Sequence, residues 1–201
     1  MKFLFTTLIS LYISFIQASV TTDKAAPNFS LVDSFDKTIS LSDFSGSTVV
    51  LEWTNHDCPF VAKHYKTGNM QSTQEYAKES GAIWLTIISS APGTQGYVLS
   101  DKANELTASR NALPKHVLFD PKGDVGLMYG AKTTPHMYVI DEKGVLRYQG
   151  AIDDAGGRGF NFKNLLEAEN YVKNALSEMQ SRQAVSTKVS KPYGCSVKYK
   201  S

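Results

Sequence analysis

Apolar and polar positions along the chain mark out a series of short elements. Residues 29–32 and 38–41 alternate around a Ser34 to Lys37 turn and predict a small hairpin. Val49, Val50, Leu51 and Trp53 are the aliphatic, β-branched and aromatic types that fill a central strand, here over 49–54. Residues 83–88 form a continuous apolar run, the pattern of a strand covered on both faces. Further strands are predicted over 116–119, 137–140 and 145–149, the last two joined by an Asp141 to Gly144 turn. Between them lie helical stretches. One runs from Cys58 to about Ser80, stopped by Gly81, with Gly68 and Asn69 as a point of interruption. Others span 97–112, ended by Leu113-Pro114, and 125–129, ended by Gly130. A last amphipathic helix is predicted over 161–179, with Phe162, Leu165, Leu166, Val172 and Leu176 near helical spacing, after a glycine-rich loop at 156–159. Residues 180–201 have no clear period. Strands alternating with helices, then a hairpin and a helix, predict an α/β sandwich.

Composition adds little constraint. Of 201 residues, 42% are hydrophobic and 20% charged, which is ordinary for a soluble globular chain. A net charge of +2 gives no basis for nucleic-acid binding. The amino terminus is more informative. Lys2 precedes a mostly apolar run over 3–16, and Gln17-Ala18 supplies a small residue for cleavage. Residues 1–18 therefore read as a secretory signal peptide. The run is short for a membrane span and broken by Thr, Ser and Tyr. The expectation is a secreted or periplasmic protein with no membrane attachment after signal removal. In that compartment its two cysteines, Cys58 and Cys195, form a pair that can bond.

Cys58 stands where the central strand ends and a helix begins. Pro59 suits the first helical position, where its missing N–H costs nothing. Cys58 then falls at the helix N-cap, whose unpaired N–H groups and dipole favour an anion, so its thiol is expected to ionise readily. Lys63 and His64 follow within two turns and add positive potential. The alternative is a buried, inert cysteine.

Strand, Trp53, then Cys58-Pro59 at a helix start resembles the active site of the redoxins of the thioredoxin-fold superfamily, peroxiredoxin-like proteins among them. Thr134-Pro135 before an apolar strand resembles the superfamily's cis-proline segment, and Pro192 to Tyr199 resembles the tail of peroxiredoxin-like proteins. The resemblance spans about residues 26–199. It implies the thioredoxin fold, a central mixed β-sheet flanked by helices, over 26–180, with an N-terminal hairpin and a C-terminal tail over 181–201 that carries Cys195.

The resemblance also directs the chemistry. The second cysteine of a C-x-x-C motif is replaced by Val61, and the position three before Cys58 is Asn55. Cys58 therefore acts alone or with Cys195. A lone activated cysteine with a distant partner follows peroxidase logic: the thiolate becomes a sulfenic acid, and a second thiol condenses with it. Pro192 and Gly194 permit a bend that presents Cys195 as this resolving partner. The implied partners are a small peroxide or disulfide substrate and an external thiol reductant, with no cofactor and no metal. Where peroxiredoxins carry Thr three residues and Pro seven residues before the cysteine, this chain has Asn55 and Leu51. Hydrogen bonds to the site are expected from Thr54, Asn55 or His56, and a cation from Arg110, Arg147 or Arg158. His136, after the expected cis-proline, is a candidate base or hydrogen-bond donor. Asp57 is expected to point to water. Two other readings stay open. One is a non-catalytic binding module stapled by a Cys58–Cys195 disulfide. The other is a copper-handling protein using Cys58 with His56, His64 and His136.

Overall fold

The computed structural model describes residues 20–156, 165 and 167–200. The expected signal peptide over 1–18 and Arg158 lie outside the described residues. Strands β1 (Ser30–Asp33) and β2 (Thr38–Ser40) form the amino-terminal hairpin. Asp33 builds its turn, accepting the Phe35 and Lys37 N–H groups at 2.9 Å each. Then follow β3 (Val49–Trp53), α1 (Pro59–Lys66), α2 (Asn69–Glu79), β4 (Ile83–Ile88), α3 (Ser100–Ser109), β5 (His116–Phe119) and α4 (Asp124–Tyr129). The chain continues with β6 (Thr133–Thr134), β7 (His136–Ile140), β8 (Leu146–Gly150), α5 (Tyr171–Gln180) and β9 (Cys195–Ser196).

Seven strands form one sheet in the order β2-β1-β5-β4-β3-β7-β8. β3 runs parallel to β4 and antiparallel to β7, so every residue of β3 is buried. Successive side chains of a strand point to opposite faces, and β3 divides accordingly. Val49, Leu51 and Trp53 join Leu85, Ile87, Tyr138 and Ile140, under α4 and the amino-terminal hairpin. Val50 joins Cys58, Val61, Trp84, Met137 and Val139, under α1, α2 and α5. This mixed sheet with helices on its faces is the thioredoxin fold.

Several boundaries differ from the sequence expectation. The helix predicted over 58–80 is two helices, because Gly68 takes a left-handed φ of 76° between them. The helix predicted over 97–112 is shorter, with Leu99 as its N-cap and Asn111 in a left-handed conformation after its end. The last helix begins at Tyr171, because Asn170 caps it, accepting the Lys173 N–H at 3.0 Å; residues 161–164 of the predicted span lie outside the described residues. Leu165 sits in a turn ahead of it, and Phe162 and Leu166 lie outside the described residues. The carboxyl-terminal segment, without period in sequence, packs on the body. Ser190 N donates to Gln149 O at 3.1 Å, and Ala91 N donates to Lys198 O at 2.8 Å. β9 pairs antiparallel with β6.

Candidate active site

Cys58 is the N-cap of α1, with Pro59 at the first helical position. The turn into it is built by Asn55, which is buried. Its carbonyl accepts the Cys58 N–H at 3.1 Å, and its side-chain oxygen accepts the Asp57 N–H at 2.9 Å. Gly96 packs so closely on Asn55 that any side chain there would collide with the amide. His56 pairs with Asp57 at 3.2 Å, and its carbonyl accepts Arg110 Nη2 at 3.0 Å. Arg110 in turn lies 5.1 Å from the Tyr65 ring centre.

The Cys58 side chain is fully buried. Its Sγ lies 3.0 Å from Thr134 O, to which the neutral thiol donates. The Thr134-Pro135 bond is cis. Thr134 is the ladder partner of Cys195, so the tail brings the second cysteine onto the first. Both are free thiols, within hydrogen-bonding reach of one another. Burial pushes the Cys58 thiol up. The Cys195 thiol and the Val61 and Cys195 N–H groups outweigh it, and the net displacement is below the ordinary value. Cys195 moves the other way. Burial, and then its position beside Cys58, push it up to about 12. Of the two thiols, Cys58 is thus the one displaced towards the thiolate.

Other expected site residues have different places. His136 is a correction. It alternates with Met137 on β7 and points to the Trp53 and Tyr138 face, whereas Met137 and Val139 share the Cys58 face. Its Nδ1 accepts the Lys132 N–H at 3.2 Å, and burial lowers its pKa to about 3, so it is neither cation nor base for Cys58. Trp53 likewise serves the opposite face, packing on Tyr129 and Tyr138 and donating to Ser89 Oγ at 3.0 Å. Arg147 is also a correction. It binds Asp141 and Asp23 at the far end of the sheet, because β8 begins there. His64 is buried and neutral, its pKa pushed to about 3 by burial and then by Lys63, so it supplies no positive charge. Lys63 faces Asp153, and burial lowers its pKa. Asp57 is half-exposed. Thr54 Oγ1 is buried without a hydrogen-bond partner and lines a small cavity of about 40 Å³ with Tyr65, Thr86 and Arg110. The copper reading loses its geometry. His136 is on the wrong sheet face, and His64 and His56 are engaged by Asn69 and Asp57. Among the described residues no group of three or more His, Cys, Asp or Glu side chains converges.

Two clusters escaped the sequence reading. Glu52, the even-numbered neighbour of Trp53, is fully buried. It accepts Trp84 Nε1 at 3.0 Å, Thr86 Oγ1 at 3.1 Å and Tyr65 OH at 3.1 Å. An acidic residue within an otherwise apolar strand was its available signal. The second cluster joins His64, Asn69, Asp153 and Tyr193. No local pattern marks it, since its members come from three distant segments.

The family model described as the AhpC/TSA family matches residues 22–149. The chain belongs to the AhpC/TSA family. It is a redoxin with the thioredoxin fold, and the matched region holds Cys58 and Thr134-Pro135 but ends before Cys195. The redoxin chain is similar in structure to a hypothetical protein from Sinorhizobium meliloti 1021, at 22% identity and a TM-score of 0.76, covering 92% of this chain and 97% of that one. An uncharacterised conserved protein from Geobacillus kaustophilus gives 23% identity and a TM-score of 0.73, covering 90% and 93%. A protein assigned as the thiol:disulfide interchange protein DsbE from Chlorobium tepidum gives 26% identity and a TM-score of 0.52, covering 65% and 85%. No curated protein matches the chain. Among the described residues, no helix is long and apolar enough to cross a membrane.

Proposed function

We propose that this redoxin is a thiol oxidoreductase that reduces a small peroxide or disulfide through Cys58, with Cys195 as the resolving thiol. One observation carries the reading: the Cys195 thiol and amide both lie against the Sγ of Cys58 at the start of α1. With a peroxide, the Cys58 thiolate attacks one oxygen and the O–O bond breaks. Cys58 becomes a sulfenic acid, and the other oxygen leaves with a proton as an alcohol or water. The Cys195 thiol then attacks the sulfenic sulfur, forming the Cys58–Cys195 disulfide and releasing water. With a disulfide substrate, Cys58 forms a mixed disulfide and expels one thiol. Cys195 displaces the other. An external dithiol returns two electrons and two protons to restore both cysteines.

Thr134 contributes its carbonyl, which orients the resting thiol. Asn55 holds the turn that places Cys58 at the N-cap. The first eighteen residues support a site of action outside the cytoplasm, secreted or periplasmic, where an external thiol reductant must be supplied to the protein.

The test is turnover of hydrogen peroxide and of a model disulfide by the full chain and by Cys58→Ser, with peptide mass spectrometry of non-reduced protein after limiting peroxide. Loss of turnover in Cys58→Ser together with a Cys58–Cys195 cross-link in the parent supports the reading. Unchanged turnover in Cys58→Ser rules Cys58 out as the nucleophile. The ratio of the two turnover numbers selects between peroxide and disulfide. A bond that resists mild reductants would mark a structural staple instead.

A further inference from the structure

Tyr193 lies two residues before Cys195, and its side chain reaches into a buried polar cluster. Its ring packs edge-on against Phe60, with centres 6.0 Å apart, and lies 6.0 Å from the His64 ring. Phe60 and His64 are four residues apart on α1 and so share one face of it. That helix begins at Cys58. The phenol of Tyr193 therefore ties the tail to the element that carries the nucleophile.

The hydrogen bonds form a closed circuit with one consistent assignment of protons. Asn69 Nδ2 donates to His64 Nδ1 at 2.9 Å and to Asp153 Oδ2 at 2.9 Å. With Nδ1 an acceptor, the neutral His64 ring carries its proton on Nε2, which faces Tyr193 OH at 3.1 Å. The Tyr193 hydroxyl then donates to Asp153 Oδ1, which also accepts the Ala155 N–H. Lys63 faces the same carboxylate. His64 and Asp153 are almost wholly buried, so a displaced Tyr193 would leave polar groups unpaired in the interior.

The remaining anchors of the tail lie on other elements. Ser190 Oγ accepts the Ala151 N–H at 2.9 Å, which ties the tail to the end of β8. Val197 N donates to Lys132 O at 3.1 Å, and β9 adds a ladder of only two residues. Tyr193 sits between these anchors and immediately upstream of the bend at Gly194.

We propose that Tyr193, gripped by Phe60, His64 and Asp153, is the positioning residue that holds Cys195 against Cys58. The inference rests on Cys195 being the resolving thiol, and it adds the device that sets how effectively that thiol is presented. Without the phenol, the segment from Ser190 to Cys195 keeps its backbone anchors but loses its hydrogen bonds to His64 and Asp153. The local concentration of Cys195 at Cys58 falls, and with it the tendency to close the disulfide.

The experiment equilibrates full-length Tyr193→Phe, Tyr193→Ala and parent protein with mixtures of reduced and oxidised glutathione. In this exchange two cysteine thiols pass two electrons to one glutathione disulfide, yielding the protein disulfide and two glutathione thiols. The fraction of Cys58–Cys195 disulfide is read by mass. Loss of one hydrogen bond to a charged group predicts a fall of about tenfold in the equilibrium constant for Tyr193→Phe. Tyr193→Ala, which also loses the ring contacts, falls further. In the same variants the pH midpoint of Cys58 alkylation moves up towards the ordinary thiol value. A mutation that loosened the fold equally in both redox forms would leave the glutathione equilibrium and this midpoint in place. Equilibrium constants within about twofold of the parent in both variants, with the parent forming the bond, overturn the positioning role while the thiol chemistry stands. A parent protein that forms no Cys58–Cys195 disulfide at any glutathione ratio overturns the resolving role of Cys195, and this role of Tyr193 with it.

Discussion

Thr134 and Cys195 stand opposite one another in the two-residue ladder of β6 and β9. The carbonyl of Thr134 also lies 3.0 Å from the Cys58 sulfur. One backbone position therefore meets the Cys58 sulfur and the main chain of Cys195, so main-chain contacts bring the two cysteines together. Local perturbations of this ladder should act on the chemistry before they act on the fold.

The first prediction concerns ionisation. Cys58 is displaced below the ordinary thiol value of 9.0, against burial and by hydrogen bonds led by that from Cys195. Cys195→Ala removes the leading donor. The pH midpoint for alkylation of Cys58 is expected below 9.0 in the parent and higher in Cys195→Ala. A midpoint that does not move on losing Cys195 would show that the thiolate owes nothing to its neighbour.

Gly194 carries the second. Its φ is 142°, and a Cβ there would run into the Thr134 carbonyl. Gly194→Ala is expected to push β9 off β6, so that peroxide treatment yields sulfenic acid on Cys58 with little Cys58–Cys195 disulfide. The seven-stranded sheet does not depend on this contact, and far-UV circular dichroism should be unchanged. A normal yield of cross-link in Gly194→Ala would mean that the tail reaches Cys58 by another route.

Glu52 leads to a pH dependence of stability. Burial raises its carboxyl above the ordinary 4.5, opposed by the hydrogen bonds of Trp84, Tyr65 and Thr86. A carboxyl with a raised folded pKa binds more protons when folded than when unfolded over that window. Its contribution is therefore fully present below pH 4.5 and declines as pH rises towards the folded value. Urea unfolding of Glu52→Gln should show a flatter dependence above pH 4.5 than the parent. Asp120 and Asp153 are raised too, by burial first, so part of the slope remains in the variant. Identical slopes would mean that Glu52 titrates alike in both states.

His136 tests the separation of the two sheet faces. Its Nδ1 accepts the Lys132 N–H and lies 3.2 Å from Tyr138 OH, which also donates to Tyr129 O, so His136→Phe leaves the Lys132 N–H without its acceptor. A loss of about 1–3 kcal/mol in unfolding free energy is expected. The rate and pH midpoint of Cys58 alkylation should match the parent. A changed midpoint would show that His136 reaches the thiol after all.

The sequence by itself determined the elements whose causes are local. Central strands follow from runs such as 49–53 and 83–88, and Pro59 after a strand puts Cys58 at a helix N-cap. Glycine at 68 was visible as a break, though only the left-handed turn there made it two helices. Tertiary structure decided what local pattern cannot express. His136 faces away from Cys58 because a strand residue's side is set by its register with β3, and Trp53 pairs with His136 on the far face. The tail has no period because its contacts are single side chains and a two-residue ladder reaching back to Thr134, His64 and Asp153. Partners separated in sequence leave no repeating mark on either segment, so the nearness of Cys195 to Cys58, on which the proposed chemistry depends, appears only once the chain is folded.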